Sequence, residues 1–303
     1  MASIQTVTDP EELRHAADII RRLDQWQLLK DEFDTERAKP LAPMSELFRD
    51  DQQTAWMQLS HIVETCLAMA HDNLRALDEM LRPQGELRVP MYAHYPVLRS
   101  ILEASAEAKW ILLPDDRMER ITRALQSRVS DLKFDAELQA EIRSTLLQMD
   151  DPLGPEAIGE YDTTRKLRHA KHMLKIKEIA AEQGIPWSSL KEGKPGTARL
   201  IRSVSGHPGA PGGYVTQLWK IMSGLSHPSV SRSVNHSTIE ERGESRGGVV
   251  EARVTADLSW TSQAITAVVG TTLDSVRLFS ARRQTPFVFP ARITRSTDIN
   301  VGR

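Results

Sequence analysis

Two helical segments of this chain set polar groups four residues apart among apolar ones: Arg99 with Glu103 in the stretch Tyr95 to Glu103, and Ser223 with His227 in the stretch Leu218 to Pro228. Four residues is a little over one helical turn, so each pair lies on one face of its helix, and the two faces together can form one polar cluster. The chemistry open to such a cluster is acid-base catalysis. Histidine is the side chain whose ordinary charge change falls near neutral pH, and an arginine beside it binds an anion or stabilises developing negative charge. His227, Arg99, Glu103 and Ser223 are therefore the expected catalytic residues if the protein is an enzyme. The competing reading is a polar network that fixes how two helices register, with Arg99 and Glu103 simply paired.

Other positions offer binding rather than reaction. The helix-forming run Arg165-Lys166-Leu167-Arg168-His169-Ala170-Lys171-His172 continues basic to Lys177 and can contact phosphates. Its bland alternative is a solvated face paired to the acids of the long helix before it. With aromatic residues at 5% and none inside the run, base stacking has little sequence support. The loop Ser205 to Tyr214 is rich in glycine and leads into a helix, but it lacks the phosphate-loop spacing and carries two prolines that remove backbone donors. It reads as a lid or connection with His207 near the mouth of a cleft. Arg165, Arg168, His207 and Trp219 are the expected binding residues.

Metal and nucleophile chemistry find less footing. His169 with His172, His61 with Glu64, and Glu12 with His15 each share a helix face, yet no second Glu-x-x-His unit completes a di-iron set and the first pair is flanked by cations. No metal site and no cofactor are expected. Cys66 is the one cysteine, placed mid-helix as a small core residue, which fits a reducing compartment. No Gly-x-Ser-x-Gly elbow is present.

The elements that must position these residues read as helix after helix. Asp9-Pro10-Glu11-Glu12 is a helix start, and apolar positions recur at helical spacing beyond it, giving a first helix from Pro10 to Arg37. Ser45 caps a second helix expected to carry Trp56, Leu59, Val63, Cys66, Met69 and Leu77 on or near one face as far as Pro83. A third begins near Pro90 or Tyr92 and ends at Leu113; a fourth covers Arg117 to Met149. Asp150 to Pro155 is the clearest interior boundary. Further helices are expected over Glu156 to Gln183, Tyr214 to Ser226 and Leu258 to Arg282, with a small β-hairpin between residues 237 and 255.

The fold class is mainly all-α, a bundle of about seven or eight helices. Residues 1–44 form an N-terminal helix and linker that packs on the bundle or between subunits, 45–285 the principal bundle, and 286–303 an extended tail. Among 303 residues, 39 basic and 41 acidic side chains leave a net charge of −2, too small to draw the whole molecule to nucleic acid or anionic membrane. No run reaches the roughly 20 apolar residues of a membrane span, and the N-terminus lacks the pattern of a signal peptide, so a cytoplasmic protein without membrane contact is expected.

The segments Arg99-Ser-Ile-Leu-Glu-Ala-Ser-Ala-Glu-Ala-Lys-Trp-Ile-Leu112, Glu119-Arg-Ile-Thr-Arg-Ala-Leu125 and Trp219-Lys-Ile-Met-Ser-Gly-Leu-Ser-His227 resemble an uncharacterised all-helical family common in actinobacteria, itself distantly similar to HEPN-type domains. The resemblance spans about residues 55 to 280. HEPN ribonucleases pair an arginine with a histidine a few residues later, across a dimer. Here Arg88 to His94, Arg165 to His172 and Arg202 to His207 have that spacing, while His227 lacks an arginine in sequence that Arg99 could supply in space. Two functions follow: a non-catalytic helical binding or interaction protein, with a protein partner, or a HEPN-like ribonuclease of a toxin or defence system using His227 and Arg99 on RNA. Homodimerisation is expected for either.

Overall fold

Asp9 opens the first helix in the computed structural model: its carboxylate accepts from the backbone N–H of Glu11 and Glu12, and Pro10 takes the first helical position, where a missing donor costs nothing. The structure describes residues 7–148, 154–205, 213–247 and 249–284. Eleven α-helices and one hairpin occur among them. Seven helices have twelve or more residues: α1 (Pro10–Ala38), α3 (Leu59–Leu81), α4 (His94–Leu112), α5 (Arg117–Gln148), α6 (Gly154–Glu182), α9 (Tyr214–Leu225) and α11 (Leu258–Arg283). Four are short: α2 (Glu46–Gln53), α7 (Trp187–Leu190), α8 (Thr197–Val204) and α10 (Val230–Asn235). The count of seven or eight holds for the long helices, and the short ones account for the excess. The short ones carry too few apolar turns to show a helical period in sequence.

The main core joins α1, α3, α4 and α11, with α8 and α9 closing one side. α1 packs on this bundle and contributes Ile19, Leu23, Trp26, Leu29 and Phe33 to the same core. α4 and α11 approach closely because small residues meet: the Ser105 and Thr272 hydroxyls lie 2.8 Å apart, and Ser275 donates to the Ser105 carbonyl at 2.8 Å. At the turn into α5, Arg120 reaches back to α2 and grips the fully buried Asp50 with two hydrogen bonds, 2.7 and 3.1 Å, while also donating to the carbonyls of Pro114 and Asp115. Such a pair needs hydrogen bonds to offset its desolvation, and here all three guanidinium nitrogens donate.

One expected helix is broken. Residues 46 to 81 form two helices, because Thr54 to Gln58 turn out of the axis: Met57 N–H donates to the Thr54 carbonyl at 2.8 Å, and Asp51 caps the new start through Ser60. Trp56 is thereby thrown out of the apolar face assigned to it and stands 76% exposed, with Met69 also outside the core.

A second, smaller core of Ile121, Leu125 and Val129 from α5 with Ile176, Ile179 and Ala180 from α6 holds those helices together at their bundle end. α5 is about 48 Å long, so its outer half and that of α6 continue past this core as a two-helix arm. Phe134, Leu138, Leu167 and Leu174 on the arm are exposed. The expected hairpin is present: β1 (Ser237–Arg246) pairs antiparallel with β2 (Val249–Ala256), with Ile239 opposite Val254 and a register shift after Arg242. No described helix is long and apolar enough to cross a membrane. The greater part of the Asp150 to Pro155 boundary, the loop holding His207, and the C-terminal tail lie outside the described residues.

Candidate functional site

The four residues read as one cluster divide into two places. On α4, Arg99 Nε donates to Glu103 Oε1 at 2.7 Å, and the same oxygen accepts from Trp219 Nε1 of α9 at 2.8 Å. The Arg99 guanidinium also lies over the Trp219 ring, 5.7 Å from its centre. Arg99, Glu103 and Trp219 thus form a trio that ties α4 to α9. No hydrogen bond joins Ser223 or His227 to it among the described residues; Ser223 is half-buried, and His227 is exposed beyond the end of α9.

His227 belongs to a cavity of about 630 Å³. Met91 and Tyr92, on the approach to α4, form one wall. Leu225, Ser226, His227 and Pro228 form the second, where Pro228 forces the chain out of the helix. α10 gives Val230, Ser233 and Val234, and the hairpin gives the cross-strand pair Ile239 and Val254. Strand alternation explains the hairpin's part: Val250, Ala252, Val254 and Ala256 fall on one face of β2, Glu251, Arg253 and Thr255 on the other. Gly224 lets α10 sit close. Arg232 donates to the Lys220 carbonyl at 2.6 Å across the position where a Cβ on residue 224 would lie 1.9 Å from the guanidinium. The lining is mostly apolar, its polar groups being the Tyr92 phenol, serine hydroxyls and the His227 imidazole; among the described residues no carboxylate, lysine or arginine lines it.

Behind this wall, His94 is fully buried at the first turn of α4, its Nε2 3.3 Å from the Thr261 hydroxyl and its ring tilted against Tyr95 with centres 3.9 Å apart. Burial pushes His94 down to about 4, so its ring is neutral at physiological pH. His71 is held the same way, also down to about 4, accepting from Trp26 Nε1 at 3.2 Å and stacked on Phe33. Cys66 is pushed up to about 12 by burial, with Glu107 adding to the effect, so its thiol is not a nucleophile at neutral pH.

The basic run lies on the arm. Arg165 turns inward over the Tyr161 ring, at 5.4 Å, and lines a cleft of about 300 Å³ between α5 and α6 with Arg143, Asp162 and His169. Arg168 is exposed. The acids of α5 do not neutralise the run as the bland reading expected: Lys166 pairs with Asp162 and Lys175 with Glu178, both on α6 itself, while Arg168, Lys171 and Lys177 pair with no carboxylate among the described residues. The seam between the helices takes α5 residues Asp135 and Gln139, and the exposed acids Glu137 and Glu141 point elsewhere. The aromatic absent from the run in sequence arrives by folding, for Lys171 Nζ lies 5.3 Å from the centre of the Trp56 ring. Nothing in sequence links residues 56 and 171; the break after Gln53 is the only local signal. Compared with family models, curated proteins and solved structures, the chain has no match.

Proposed function

We propose that the protein is a non-catalytic helical binding module whose ligand site is the cavity beside His227. The observation that carries this reading is the lining: an apolar concavity of about 630 Å³, within the range of small-molecule sites, whose few polar groups are hydroxyls and one imidazole. An ion would enter it uncompensated, so the fitting ligand is a neutral, mostly apolar molecule or an apolar segment of a partner protein that makes one or two hydrogen bonds at the mouth. A ribonuclease of the HEPN type would have to engage Arg99 with His227, whereas Arg99 turns its Nε to Glu103 and its guanidinium face to Trp219.

The experiment is native mass spectrometry of the purified protein for a retained adduct, joined to titration with an environment-sensitive apolar dye. Val234→Glu sets a carboxylate on an exposed wall position of α10, where folding is not at risk. Dye bound by the wild type and lost from Val234→Glu supports the cavity. Equal dye binding by both, or release of cleaved RNA fragments that stops in His227→Ala, overturns the reading.

A further inference from the structure

Trp56 is the one described tryptophan with left-handed backbone, φ 79°, in the turn that separates α2 from α3. A branched or bulky residue is strained there, and glycine or asparagine would close the same turn without strain. The ring gains little packing in return, being 76% exposed. An exposed aromatic kept at a strained position is a group with a use outside the fold.

Its neighbour is the outer face of α6. Leu167, Lys171 and Leu174, at i, i+4 and i+7, form one stripe, and Arg168 and Lys175 flank it about 10 Å apart. Lys171 joins this stripe to Trp56. From Arg165 to Lys177 the sequence contains no acidic residue, and neither Arg168 nor Lys171 has a carboxylate partner among the described residues. The surface thus pairs an open π-face with unneutralised cations spaced along a helix, flanked by two exposed leucines.

We propose that the outer face of α6 together with Trp56 binds single-stranded nucleic acid, with a base stacked on Trp56 and phosphates neutralised by Arg168 and Lys171. The charge complementarity selects a polyanion, and the exposed ring selects one with unpaired bases over a duplex, whose bases are already stacked. Leu167 and Leu174 offer apolar contact to the neighbouring sugar and base faces. This site is independent of the His227 cavity and stands on residues that do not line it.

The test is fluorescence anisotropy of the full chain with labelled oligouridylate and oligothymidylate strands of about 20 nucleotides, long enough to cover a typical site. Two neutralised phosphates predict a fall in affinity of about 7-fold between about 50 and about 200 mM salt. Trp56→Asn removes the ring from a position that asparagine tolerates, so affinity should drop at least about five-fold while the thermal midpoint stays level or rises. Arg168→Glu with Lys171→Glu should abolish binding. A preference for RNA over DNA, or none, identifies the source of the strand and supports the proposal either way. The proposal is overturned by failure of both strands to bind at low salt, by unchanged affinity in Trp56→Asn, by equal affinity for a duplex, or by binding only to phosphatidylserine vesicles.

Discussion

Acid should destabilise this protein through His71, and the effect can be isolated. The ring is buried between α1 and α3, accepts the Trp26 indole N–H at Nδ1, and has no partner at Nε2. Burial is the main cause that lowers its pKa from 6.5 to about 4; the attraction of Asp34 raises it and Lys30 and Arg37 lower it further. Above pH 6.5 the ring is neutral folded and unfolded, so it adds no pH dependence. As pH falls below 6.5 the unfolded chain takes a proton that the folded ring refuses, and folding stability drops until about pH 4, where the folded ring protonates too. The full difference is worth about 3 kcal/mol. His71→Asn keeps an acceptor for Trp26 but cannot titrate. Its loss of packing on Phe33 is independent of pH, and every carboxylate contributes equally to both proteins. Urea unfolding at about pH 7 and about pH 4.5 should therefore show the wild type losing about 2 to 3 kcal/mol more than the variant over that interval. Parallel losses would refute the assignment of His71 as a neutral buried ring.

Arg120→Ala would leave the Asp50 carboxylate buried without its partner and should cost about 3 to 5 kcal/mol in the same unfolding assay, far more than a surface ion pair. Gly193→Ala should cost about 2 kcal/mol, since its φ of 80° disfavours a side chain and the new Cβ would lie 2.3 Å from Ser130 Oγ; adding Ser130→Ala should recover part of that, read as a rise in thermal midpoint. Glu103→Gln weakens the hold on Arg99 and Trp219 and should cost about 1 kcal/mol with a shift in tryptophan emission.

The local chemistry of the chain was legible residue by residue. Asp9-Pro10-Glu11-Glu12 wrote a helix start, and glycines at 243, 247 and 248 between two short flanks wrote the hairpin, because caps and turns are properties of neighbours in sequence. The pairing of Arg99 with Glu103 was equally local, one helical turn apart. What the chain alone determined is thus its helical class and its long helices, apart from the break between Gln53 and Leu59 that moved Trp56 off its expected face.

Tertiary structure decided which faces meet. It gave Glu103 to Trp219 rather than to His227, and it set His227 against the hairpin and Tyr92 in a cavity drawn from four separate segments. It sent Arg120 back to Asp50, seventy positions earlier, and placed Trp56 on Lys171 by breaking a helix that the apolar period alone would have continued. The physical reason is the same in each case. A period in sequence fixes the side of a helix that a residue occupies, but which partner satisfies it depends on helix packing and on where turns redirect the chain, and those follow from burial summed over the whole core.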